Sequence, residues 1–262
     1  MRIADHSINA GFMPLFDSAV LVAAHEIGFA RREGIDLRLS RETSWANIRD
    51  RIAIGHFGVA HMLGPMPLAC NLGLTPLVSD TIVPFSLGLG GNCVTVSNAV
   101  WAGMAEHGAL PDLDPMRSGH ALRDLIRTRS TGGDNALRFA VTHPHSGHNY
   151  ELRYWLAGCG IDPAREVEIV IVPPPFMADA MAAGRIDGYC VGEPWNSVSV
   201  VARTGHIATV KAAIWRNSPK RCWARAGHGR RRIRMPYSRF CAPCITPPNG
   251  VRTRKTTTIS LR

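Results

Sequence analysis

Short apolar runs alternate with segments of helical period along most of this chain, and that alternation narrows the fold more than any other feature. The first run, Ile8–Phe12, precedes a stretch from Ser18 to Arg32 in which Leu21, Ala24, His25, Gly28 and Phe29 recur at helical spacing, with Gly34 as a stop. A strand at Ile35–Leu39 leads to a helix opened by Thr43 or Ser44 through WANIRDRIAIG, a strand around Val59–Met62 and a helix after Pro65 and Pro67. Beyond the apolar stretch Leu77–Leu89 come strands at Cys93–Ser97, Leu137–Thr142, Val167–Val172 and Ile186–Val191. Helices near 99–107, 119–129, 149–157 and 175–183 lie between them. Strands spaced by helices of this length predict an α/β fold with parallel-type sheets covered by helices.

Two glycine- or turn-rich motifs read as crossings between lobes: GLGGN at 88–92, and GEPWN at 192–196 directly after a strand. On that reading residues 1–87 with 197–218 form one lobe and 88–196 the other. The cleft between two such lobes is the expected binding site, closing on its ligand by hinge motion.

The chain carries a formal charge of +10, yet the basicity is local. From Pro219 onward there are 12 Lys or Arg residues and no Asp or Glu, whereas residues 1–218 hold 18 basic and 20 acidic side chains. The body therefore gives no argument for a polyanion partner, and no nucleic acid is expected there. An Arg-rich segment could hold nucleic acid in a salt-sensitive, sequence-independent way, which stands as a remote alternative. No run of 18 apolar residues occurs, so no transmembrane segment is expected, and MRIADHSINAGFMPLFDS lacks the apolar core of a secretory signal. As written the chain reads as cytoplasmic; a true start lying upstream would make it periplasmic or membrane-associated. Cys70, Cys93, Cys159 and Cys190 stand singly in apolar contexts, as buried hydrophobes do.

Enzyme signatures are missing. The sequence has no GxSxG elbow, phosphate-binding loop or HExxH pair, and GLGGN lacks dinucleotide-site spacing, so no catalytic residue and no cofactor are expected. His56 and His61, and the cluster His143, His145 and His148, have no Cys or carboxylate nearby to complete a recognisable metal set; CAPC at 241–244 is a single pair.

Several stretches resemble the nitrate- and bicarbonate-binding proteins of ABC importers and a cytoplasmic relative, the nitrate/nitrite sensor of an antiterminator. They are SWANIRDRIAIG (44–55), AHMLGPMPLA (60–69), LGLGGNCVTVSNAVW (87–101), SGHNYELRYWLAGCGI (146–161), VPPPFMADAMAAGRIDGYCVGEPWN (172–196) and IWRNSP (214–219), in colinear order. The resemblance implies a two-lobed fold of the periplasmic-binding-protein type (type II). Its ligand would be nitrate or nitrite, with bicarbonate as a relative, and its partner an ABC permease and ATPase or an antiterminator.

A flat, delocalised anion suits an aromatic face and several N–H donors. Trp45 offers an indole at a helix start; by itself it reads equally well as a packing aromatic. The resemblance implies ligand contact for Trp45, for Asn92 in the glycine-rich crossing, and for His148, whose imidazole would add charge if protonated. Arg203 aligns by spacing with a family lysine that contacts the anion, although its donor geometry differs. Glu193 and Trp195 read as cleft-rim or hinge residues.

Family members continue after IWRNSP with Glu-Lys-Val-Leu-Gly, where this chain has Lys220-Arg221-Cys222-Trp223-Ala224. Pro219–Ala224 can be written CCG AAA AGG TGC TGG GCA, which from its third base spells the family sequence. The same shift over Arg234–Pro247 yields an apolar-periodic helix. Residues from about 219 are accordingly read as an out-of-frame, disordered basic tail, with the first lobe truncated at 218.

Overall fold

The computed structural model describes residues 6–133, 135–216 and 219–226. In chain order its elements are β1 (His6–Phe12), α1 (Ala19–Glu26), α2 (Phe29–Arg32), β2 (Ile35–Arg41), α3 (Trp45–Ala53), β3 (Val59–Leu63), α4 (Met66–Asn71) and β4 (Thr81–Leu89). Then follow β5 (Asn92–Ser97), α5 (Asn98–Glu106), α6 (Pro115–Thr131), β6 (Leu137–Val141), α7 (Gly147–Gly158), β7 (Val167–Ile171) and α8 (Met177–Ala182). The last are β8 (Gly188–Gly192), α9 (Trp195–Val201), β9 (Gly205–Val210), α10 (Lys211–Ile214) and β10 (Pro219–Ala226).

Local chemistry explains where these elements start and stop. Gly28 adopts φ 76°, so the helix expected over 18–32 is split into α1 and α2. Ser44 accepts a hydrogen bond from Ala46 N, Ser97 from Val100 N, and Ser146 from Asn149 N, each capping the helix that follows. Asp114 caps α6, which opens on Pro115, where the missing N–H has no intrahelical role.

The strands form two five-stranded sheets, ordered β2-β1-β3-β10-β4 and β7-β6-β8-β5-β9. Both are mixed, a correction to the parallel-type expectation. β1 pairs in parallel with β2 and β3, as β6 does with β7 and β8. β5 instead runs antiparallel to β8 and β9, and β10 antiparallel to β3 and β4. The exceptions are the two strands by which the chain enters a sheet from the other lobe. A direct link carries no crossover helix, and parallel pairing needs one.

Those strands also redraw the lobe boundaries. The chain leaves the first sheet through Gly90 and Gly91, at φ 66° and 78°, a left-handed pair that only glycine adopts without strain. It does not return at GEPWN: β8, α9, β9 and α10 all belong to the second lobe, with β9 paired to β5 along Cys93–Ser97. The return lies between α10 and β10, so residues 197–214 belong to lobe 2, contrary to the expected division. Residues 219–226, expected to be tail, form the strand that fills lobe 1's sheet between β3 and β4. Residues 227–262, including CAPC, lie outside the described residues.

Each sheet is cored on both faces. In lobe 1, Ile48, Ile52, Met62 and Leu63 pack with Cys222 and Ala224 on one side. Ile8, Leu21, Leu37 and Val59 pack with Trp223 on the other. Alternation along β10 thus places Trp223 in one core and its neighbours in the second, the period of 2 that a buried central strand requires. Lobe 2 is built the same way, with Phe139, Leu152 and Trp155 in its larger cluster and Met177, Met181 and Tyr189 in its smaller one.

Candidate functional site

Between the lobes, side chains from six elements and one turn converge on a buried polar cluster. Lobe 1 contributes Trp45 at the first turn of α3, His61 in the middle of β3, Lys220 and Arg221 at the start of β10, and Asp17 from a 3-10 turn, Phe16–Ser18. Lobe 2 contributes His148 and Glu151 on α7, Asn92 at the start of β5 and Lys211 at the start of α10. Most lie at or just beyond strand or helix ends that face the opposite lobe, the position where open α/β sheets take ligands.

Arg221 is the hub. It is fully buried, its Nε lies 3.1 Å from Asp17 Oδ2, and its guanidinium carbon sits 4.9 Å from the centroid of the Trp45 ring. An Nη2 proton is donated across the cleft to His148 Nε2 at 3.3 Å. His148 is buried too, and that burial, followed by the charges of Arg221 and Lys220, holds its pKa well below 6.5. A ring in that range is neutral at neutral pH, so the charge that protonation would add is not supplied there. With Nε2 accepting from Arg221, its proton sits on Nδ1 and is donated to Thr142 Oγ1 at 2.9 Å.

Asp17 gathers the remaining charges. Its Oδ2 is 3.1 Å from Lys220 Nζ, and its Oδ1 is 3.3 Å from His61 Nε2. Burial, the largest influence, opposes ionisation of Asp17, yet Arg221, His61 and Lys220 together hold its carboxyl below the usual carboxylate range. Burial likewise lowers His61, which stays neutral. Lys220 is pushed down to about 8, first by burial and then by Arg221. Its ammonium also donates to Gly91 O at 3.1 Å, and it packs against Gly192, where a Cβ would come within 2.5 Å of Nζ.

Asn92 donates from Nδ2 to Glu151 Oε2 at 2.8 Å, and Glu151 Oε1 closes a 2.5 Å ion pair with Lys211. One of the two N–H donors expected of Asn92 is thereby used within lobe 2, while its buried Oδ1 has no hydrogen-bond partner among the described residues. The buried indole N–H groups of Trp45 and Trp195 likewise have no acceptor among them. Unpaired donors of that kind are costly unless something binds there.

Trp45, Asn92 and His148 therefore lie in one connected cluster. Arg203 does not. It follows α9 at φ 56°, is exposed, and its carbonyl accepts from Asn98 Nδ2 at 2.7 Å. Asn98 follows Ser97, at the end of β5 away from Asn92, about 17 Å along the strand. The guanidinium in the interlobe cluster is that of Arg221, which arrives on the returning strand. Glu193 and Trp195 sit where the lobes touch: Glu193 O accepts from Phe16 N at 3.2 Å, and Trp195 packs against cores of both lobes.

Sequence reasoning missed Asp17, His61, Glu151, Lys211, Lys220 and Arg221 as members of this cluster. Asp17 had a readable signal, an acidic residue within MPLFDSAVL just beyond the first strand. His61 had one as well, a histidine inside the otherwise apolar VAHML. Lys220 and Arg221 were hidden by the charge break, which assigned them to a tail. Together with Arg225 they are buried in the sheet, so these three cations are not available to a nucleic acid.

The profile of the NMT1-like family matches residues 3–227. The nitrate import ATP-binding protein NrtC of Synechocystis sp. is 36% identical over 219 residues, 82% of this chain and 30% of that protein. The nitrate/nitrite binding protein NrtA of Nostoc sp. is 31% identical over 85% of this chain and 49% of its own length. The chain thus spans between about a third and a half of these relatives. In three dimensions it is similar to the periplasmic nitrate-binding protein NrtA of Synechocystis, with a TM-score of 0.73 and 24% identity over 87% of this chain and 56% of the other. That likeness establishes a fold of the periplasmic-binding-protein type. No helix of the described residues is long and apolar enough to cross a membrane.

Proposed function

This chain belongs to the NMT1-like family, and we propose on that premise that its interlobe cleft binds a small oxyanion, nitrate or nitrite first and bicarbonate as a relative. The observation that carries the reading is Arg221, a planar guanidinium laid over the Trp45 ring and reaching His148 of the other lobe. A guanidinium presents parallel N–H donors that match two oxygens of a flat anion, and a stacked indole keeps it in plane. Trp45 and Trp195 supply further N–H groups, and Asn92 and His148 line the opposing wall. Nothing in this set is arranged as nucleophile and base, so binding rather than catalysis is the proposed activity. A contact spanning both lobes is also one that an inserted anion would share, which couples binding to closure.

The proposed role is that of the substrate-binding component of an ABC-type importer, handing its ligand to permease and ATPase subunits; similarity to NrtC and NrtA supports it. A sensor that changes its grip on an antiterminator would use the same cleft, and pull-down against each partner separates the two. Binding itself is tested by thermal shift with nitrate, nitrite, bicarbonate and sulfate. A ligand at 100 times its Kd adds about 2.7 kcal/mol, several degrees in a domain of this size. No shift with any of the four would remove the reading.

A further inference from the structure

The cleft's charges can be counted, and their sum suggests what kind of anion fits. Lys220 and Arg221 are the cations that face it, and Asp17 stands between them, 3.1 Å from each. His61 and His148, the titratable rings that touch this group, are both neutral. Lys211 and Glu151 cancel as a closed pair, and Glu193 turns its carboxylate to Ser197 N at 3.1 Å. The remainder is a single positive charge in a buried setting, where an unmatched charge of either sign is expensive. We propose that Asp17 selects ligand valence: by cancelling one of the two cleft cations it leaves a site matched to a monovalent oxyanion and mismatched to a divalent one.

This inference rests on the cleft being the anion site, and it adds a residue that no ligand contact requires. Asp17 is the internal counter-anion, held 3.1 Å from both cations by a turn of lobe 1 whose Ser18 Oγ donates to Leu15 O at 2.7 Å. A divalent ligand would leave one negative charge unmatched among neutral groups. Removing the counter-anion without changing its shape would leave two positive charges and reverse that preference.

The test measures nitrate and sulfate binding by isothermal titration for the full chain and for Asp17→Asn. Asp17→Asn should raise the ratio of sulfate to nitrate affinity at least tenfold. An unchanged ratio in a folded Asp17→Asn protein overturns the inference while leaving anion binding in place. Failure of the unsubstituted chain to bind either ion, or bicarbonate, instead removes the reading on which it rests. Should Asp17→Asn not fold, Lys220→Met decides: with Asp17 retained the cleft sums to zero, and nitrate affinity should fall at least tenfold. A Lys220→Met protein that keeps its nitrate affinity overturns the inference.

Discussion

Trp45 has two roles that substitution can separate. Its ring packs with Ile48, Ile52 and Met62 and lies under Arg221, while its buried N–H has no acceptor among the described residues. Trp45→Phe keeps most of the ring and loses the N–H, so we expect about tenfold weaker nitrate binding, the worth of one hydrogen bond near 1.4 kcal/mol, with little loss of stability. Titration calorimetry beside a denaturation curve checks both halves. Two arginines make a second contrast. Arg221→Gln removes the guanidinium from the ring and from His148 and should cost at least a hundredfold in affinity, whereas Arg203→Ala should leave affinity unchanged. Equal effects from the two would mean that the cleft's cation has been misplaced.

Elements explain why Arg221 can be buried at all. A buried guanidinium needs a fixed backbone and satisfied partners. β10 provides the first by pairing on both sides, with β3 from Arg221 to Arg225 and with β4 from Pro219 to Ala226. Trp223 anchors the strand in the core of Ile8, Leu21, Leu37 and Val59. Trp223→Ala should destabilise the protein by about 3–5 kcal/mol in chemical denaturation, with nitrate binding lost in proportion as β10 loosens. A cost under about 1 kcal/mol would mean that β10 does not hold lobe 1 together. The expectation of a disordered, out-of-frame tail from about 219 is thereby corrected for these residues: Pro219–Ala226 is a strand paired on both sides and largely buried, and the family profile runs to residue 227.

For the whole molecule, pH acts on binding and on stability in opposite senses at alkaline pH. Lys220 has a folded pKa near 8, below its ordinary 10.5. Above about 8 its charge fades, so anion affinity should decline, while folding stability should not fall on its account. Between 8 and 10.5 the unfolded chain binds more protons at this group, and stability therefore rises with pH. In acid the sign is the same. His143, pushed down to about 4 by burial and then by Arg49, is protonated more readily when unfolded, so its contribution is lost as pH falls from about 6.5 toward 4. Nitrate titrations from pH 7 to 10, with melting curves from pH 4 to 10, check both arms; affinity constant across pH 7–10 would argue against Lys220 as a cleft charge.

Local pattern was enough for most of the elements. Apolar runs with helices between them announced β1 to β3 and β5 to β8, with β4 read only as an apolar stretch, and Ser44, Ser97 and Asp114 are caps whose side chains bond the next turn regardless of what packs outside. Trp45, Asn92 and His148 were named through the family resemblance, since each lies in a stretch that carries it, and the local pattern alone left each open to a packing, turn or capping role. The route of the chain between lobes was not legible, since a strand that changes sheets looks like any other strand, and its partners in β3 and β4 lie more than a hundred residues earlier. Nor was the charge count. Asp17 and Arg221 are 204 positions apart, and only the tertiary structure brings them to 3.1 Å, where burial makes their pairing and the charge left over matter.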